Sequence, residues 1–149
     1  MAAAAAAQAA VGLPLGEHEG NFRLKVTPNG DNRVVFRRQS GYACRLTVGN
    51  PTNHKQAFKV KTSNNELLLI RPVMSLLGPH EEMDVSLRYR KPASQRGEEG
   101  VQAIPADDLH HISVSHIPAP DGASARGVWA VHNGPAVGLR RIRCRFVNN

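Results

Sequence analysis

The densest run of residues able to do acid–base or metal chemistry is DDLHHISVSH, in which Asp107, Asp108, His110, His111 and His116 bring carboxylates and imidazoles close together in sequence. Read as a strand, this run puts His110 and His116 on one face, about 20 Å apart at roughly 3.3 Å per residue, while His111 faces the other way. One metal cannot take all three without ligands from elsewhere, and the spacing fails the Cys/His patterns of structural zinc. The histidines are therefore read as lying at the edge of a loop and a strand, and no metal site is expected. Nucleophilic chemistry has no better basis. There is no Gly-x-Ser-x-Gly elbow, no cysteine set among the cues of a papain-like site, and no phosphate-cradling glycine loop. The expectation is a protein that is not an enzyme, with no catalytic residue, no cofactor and no small-molecule substrate.

Basic rows are the remaining chemical signal. In AFKVKT, Phe58, Val60 and Thr62 alternate with Lys59 and Lys61, so a strand here buries one edge and shows lysines on the other. Near the C-terminus Arg141, Arg143 and Arg145 alternate with Ile142, Cys144 and Phe146, and Arg33, Arg37 and Arg38 add charge elsewhere. Nucleic-acid binders combine such stripes with exposed stacking aromatics or a recognition helix. Aromatics here are 5 % of residues and fall mostly at inward positions, so nucleic acid is not expected as a partner. The arginine row taken alone reads as a solvated strand face that also blunts edge pairing.

The elements that must carry these rows are strands. FRLKV leads to a turn at TPNGDN, then RVVF. YACRLTV alternates cleanly, with Tyr42, Cys44, Leu46 and Val48 on one side; MDVSLRY alternates likewise at Val85, Leu87 and Tyr89. ELLLIRP reads as a more fully buried strand ended by Pro72. HHISVSH and RRIRCRF are two further strands separated by IPAPDGASARGVWAVHNGPAVG, and the segment from Lys91 to about Asp108 has loop composition. There are no repeats, no heptads, and no helical period outside the alanine-rich start. Short strands at regular spacing with turn residues between them predict an all-β antiparallel sandwich.

Bulk properties agree with one folded domain. The chain has 149 residues, 41 % hydrophobic and 21 % charged, with 19 Lys+Arg against 12 Asp+Glu and a net charge of +7. Such charge suits acidic peptides, anionic lipid head groups or nucleic acid without choosing among them. Two cysteines, Cys44 and Cys144, are too few for a disulfide scaffold, and inward positions predict buried thiols. MAAAAAAQAA lacks the basic start of a signal peptide, and no apolar stretch approaches the roughly 20 residues that span a bilayer. Residues 1–20 are read as a flexible arm and 21–149 as the folded domain of a cytoplasmic protein that does not insert in a membrane.

The motifs together resemble the major sperm protein (MSP) domain family. NPT at Asn50–Thr52, AFKVKT at Ala57–Thr62, IRP at Ile70–Pro72, LLGPHEEMDVSL at Leu76–Leu87 and the closing RRIRCRF carry the resemblance, which runs from about Phe22 to Val147. It implies a seven-stranded immunoglobulin-like sandwich without the inter-sheet disulfide. The nematode sperm branch consists of small domains that dimerise and polymerise into filaments driving sperm motility. The branch of adaptors for vesicle-associated membrane proteins binds partners carrying two phenylalanines in an acidic tract. PDGASARGVW, and an end directly after the last strand with neither coiled coil nor membrane helix, resemble the sperm branch. The resemblance therefore implies a cytoskeletal filament subunit or filament-associated protein, located in the cytoplasm or the sperm pseudopod, with itself or other MSP-family proteins as partners. The alternative it implies is a soluble adaptor for acidic motifs. For that role it marks Lys59, Lys61 and Thr62, with His111 and Ser113 standing where the adaptors have Lys and Met. His111 would then strengthen acidic binding as pH falls toward 6.5.

Overall fold

The computed structural model describes residues 18–147 apart from 31, 65 and 91–104. The arm expected over residues 1–20 lies outside these residues up to 17, and the loop expected over 91–108 lies outside them up to 104. Ten strands follow in order: β1 (His18–Gly20), β2 (Lys25–Thr27), β3 (Arg33–Arg37), β4 (Ala43–Gly49), β5 (Gln56–Thr62), β6 (Leu68–Arg71), β7 (Met74–Leu77), β8 (Glu82–Tyr89), β9 (His111–Pro118) and β10 (Gly138–Val147). A two-turn helix, α1 (Ala125–Val131), joins β9 to β10.

Two sheets face each other. One runs β1-β10-β9-β5-β7, with β3 also on β10; the other runs β2-β4-β8-β6. Every ladder is antiparallel except that between β3 and β10. The predicted immunoglobulin-like sandwich is therefore present. Its edge segments are short and change sheets: β2 lies in the second sheet and β3 in the first, while β6 pairs with β8 and β7 with β5 on either side of Pro72. Proline lacks the N–H that a continuous ladder needs, so it suits the point of crossing.

Period-two patterning explains which face each strand buries. Val34, Phe36, Phe58, Val60, Ile112, Val114, Ile142, Cys144 and Phe146 from the first sheet meet Val26, Leu46, Val48, Val85, Leu87 and Tyr89 from the second. Phe146 stacks on Phe36 at 5.1 Å and meets Tyr89 edge-on at 5.0 Å. Cys144 is buried and Cys44 half-buried; both are free, and burial pushes each thiol up to about 12. ELLLIRP differs from its expected full burial. Among the described residues β6 is an edge strand paired with β8 alone, and Leu69 is 40 % exposed.

Two polar devices hold the frame. Asn50, 1 % exposed, donates through Nδ2 to the carbonyls of His54, Leu77 and Gly78, and its Oδ1 accepts from the Thr52 amide and hydroxyl. The NPT motif is thus a knot tying the β4–β5 turn to the β7–β8 turn. His116 is fully buried rather than at a strand edge. Its Nε2 accepts from the Arg23 amide at 3.0 Å, so its Nδ1 carries the proton donated to Gln56 Oε1, also at 3.0 Å. Burial, with Arg23 adding to it, lowers this imidazole to about 4. The segment from Asn21 to Arg23 reaches His116 by crossing Gly138, where any Cβ would run into the Phe22 backbone.

Candidate functional site: a basic face across β5, β9 and β10

The register of the first sheet determines which outward side chains share a row. Lys61 of β5 lies opposite Ser113 of β9, and Ser113 lies opposite Arg141 of β10. One step along, His111 of β9 pairs with Arg143 of β10, and Arg143 with Arg33 of β3. One step the other way, Met74 of β7 pairs with Lys59, and Lys59 with Ser115. These rows are separated by about 7 Å, two residues of strand. The outer face of three neighbouring strands therefore presents one field of positive charge, interrupted by serine hydroxyls.

Four of the five expected binding residues come together here: Lys59, Lys61, His111 and Ser113. Thr62 falls on the opposite side of β5, in register with Ile112, and its hydroxyl accepts from the Asn64 amide in the following turn. Strand alternation, which placed Thr62 with Phe58 and Val60, accounts for this. The arginine row, read alone as a solvated face, becomes part of the field because β9 bridges Arg141 and Arg143 to the lysines. No feature of the sequence reveals that register, since β5 and β10 are separated by 75 residues.

The electrostatics are those of like charges crowded on a partly desolvated surface. Burial lowers Lys59, and Lys61 lowers it further. Its ammonium sits 4.6 Å from the centroid of Trp129, whose helix α1 covers the adjoining part of the same sheet face. There Val128 and Trp129 pack with Ala57, Ile117 and Leu76 into a second apolar cluster, and Ser124 caps the helix by accepting from the Gly127 amide. His111 is half-buried, with Nδ1 buried and unpartnered among the described residues. Burial, then Arg141, His110 and Arg143, hold its imidazole below 6.5. It is neutral at pH 7, and in the unbound protein its gain of charge is shifted below 6.5.

At the far end of the field the chain supplies its own acids. Asp108 takes the Arg33 guanidinium with both carboxylate oxygens, at 2.7 and 2.8 Å, and Asp107 meets Arg145 at 3.2 Å. Hydrogen bonding to Arg33 holds the Asp108 carboxyl below its ordinary value, with Arg143 and Arg145 contributing. Among the described residues no group of three His, Cys, Asp or Glu side chains could hold a metal ion, and no helix is long and apolar enough to cross a membrane.

The family description that matches this chain is the MSP (major sperm protein) domain, over residues 22–125. The chain belongs to that family. An uncharacterized protein of Caenorhabditis elegans is 25 % identical over 143 residues, covering 91 % of this chain and 76 % of the relative. Among solved structures, WR4, a C. elegans MSP family member, is similar at a TM-score of 0.55 and 18 % identity, covering 85 % of this chain and 98 % of its own. SSP-19, an MSP-domain protein like family member in C. elegans, is similar at a TM-score of 0.50 and 23 % identity, covering 69 % and 85 %. These structures share the fold. Membership places this MSP domain among protein-interaction modules.

Proposed function

We propose that this MSP domain is a non-enzymatic, cytoplasmic adaptor whose basic outer face holds an acidic segment of a partner protein. The observation that carries this reading is the in-register row Lys61–Ser113–Arg141, flanked by Lys59 and His111. Three hydrogen-bonded strands fix the backbone positions of its cations, so on this chain only the Lys and Arg side chains remain to be ordered on binding. No ion pair to Lys59 or Lys61 is found among the described residues, and the Lys59 ammonium rests against Trp129 with no carboxylate on it. Backbone amide shifts recorded by NMR while a glutamate-rich peptide is added test this directly. The reading expects the largest changes at Lys59, Lys61, His111, Ser113 and Arg141; changes centred on the second sheet would overturn it.

A second reading is self-association, or association with other MSP-family proteins, as a filament subunit or filament-associated protein in sperm motility. The exposed edge at β6 and β7 favours it, where Leu69 is 40 % and Val73 49 % exposed beside strand edges unpaired among the described residues. The basic face itself opposes it, because a symmetric contact there would bring like charges together. Sedimentation velocity over a wide concentration range separates the two: reversible growth beyond the monomer that is lost in Val73→Glu supports the edge contact, and a monomer at every concentration removes it.

A further inference from the structure

The basic field does not end where the cations end. Asp108 donates its backbone N–H to the Cys144 carbonyl, which places its backbone beside β10 on the side occupied by β9. Arg33, which its carboxylate grips, belongs to β3 on the opposite side of β10. The Arg33 side chain therefore reaches across the outer face of β10 to the Asp108 carboxylate. Asp107 settles on Arg145 in the same place. The Cys144 amide returns a bond to His110, so this acidic pair is held down by backbone as well as by charge.

We propose that Asp107 and Asp108 are specificity-determining residues that occupy one end of the acidic-partner site. They confine a docked segment to the Lys59, Lys61 and Arg141 rows and exclude it from Arg33 and Arg145. This inference rests on the acidic-partner reading above and adds to it the length and charge of the partner. A short acidic segment fits the rows beyond the aspartates; a longer run of carboxylates meets the chain's own aspartates and must displace them. The arrangement is an internal copy of the contact that the face makes with its partner, a bidentate carboxylate on an outward arginine.

The test compares two glutamate-rich peptides, one short and one long, by calorimetric titration against the whole chain. Asp107→Asn/Asp108→Asn removes both charges and keeps the backbone, since Asn tolerates the left-handed φ of +64° that Asp108 adopts. The double variant should bind the long peptide more tightly by roughly fivefold per aspartate at low salt and leave the short peptide nearly unchanged. Arg33→Gln leaves the Asp108 carboxylate in place without its partner and should weaken the long peptide instead. If the folded double variant gains nothing, or gains equally for both peptides, the aspartates act only through distant charge and the proposal is overturned. If it fails to fold, Arg33→Gln decides alone, and unchanged long-peptide affinity there counts against the proposal. The underlying reading fails in a different way: the unaltered chain then binds neither peptide, and the inference falls with it.

Discussion

Two histidines on one strand, His111 and His116 of β9, do opposite work, and their surroundings decide which. His116 is locked neutral between the Arg23 amide and Gln56, with a folded value of about 4 against 6.5 when exposed. The unfolded chain thus takes up the proton first. The stabilisation is complete above 6.5 and is lost as pH falls toward 4, by about 3 kcal/mol at the lower end. Urea unfolding across that window should show the loss, and His116→Gln, which retains an acceptor for Arg23, should flatten it. His111 is lowered as well, but by a surface that a partner can change. Burial is the largest cause, and carboxylates docked over Arg141 would offset the repulsion that adds to it. NMR titration should give a value below 6.5 in the free chain and a higher one with a glutamate-rich peptide bound; an unchanged value would mean that the peptide does not lie beside it.

At the scale of elements, alternation in the sequence was sufficient to place β4, β5, β8, β9 and β10 and the inward set they bury, because one face of each points into the sandwich, even where α1 also covers the outer face at Ala57 and Ile117. It failed where an element is short or lies at an edge. Helix α1 has seven residues with Val128 as its one buried position, too few turns for a period to emerge, and only Ser124 hints at its start. β6 looks buried because Leu68, Leu69 and Ile70 run together, yet an edge strand exposes one of them. The NPT motif was legible as a family marker but not as a device. Its physical role is the five hydrogen bonds of Asn50. Asn50→Ala removes all five, including the bond to the buried Leu77 carbonyl and the one that the Thr52 amide makes, and should cost about 2 to 4 kcal/mol in equilibrium unfolding. Ser124→Ala removes a cap on the surface and should cost about 1 kcal/mol. Losses of equal size at the two positions would contradict the distinction between a buried knot and an exposed cap.

For the whole molecule, the essential fact is that charge is placed and not merely abundant. The candidate residues on β5 and β9 could be named from the sequence, but the arginines of β10 join them only through the register of the folded sheet, and the aspartate clasp bounds them only because a turn beside β10 meets Arg33 and Arg145 in the fold. A net charge of +7 by itself would favour any acidic partner, and that attraction would weaken with salt whichever surface it came from. The decisive measurement therefore holds net charge constant. Lys61→Glu and Arg45→Glu make the same change in charge, the first on the proposed face and the second on the outer face of the opposite sheet, where Arg45 is exposed and only 3.9 Å from Asp84 as an ion pair. Titrated with one glutamate-rich peptide at one salt concentration, Lys61→Glu should lose roughly tenfold in affinity or more, and Arg45→Glu should stay within about twofold of the unaltered chain. Equal losses in the two variants would show that the peptide follows total charge, and would contradict a partner site on β5, β9 and β10.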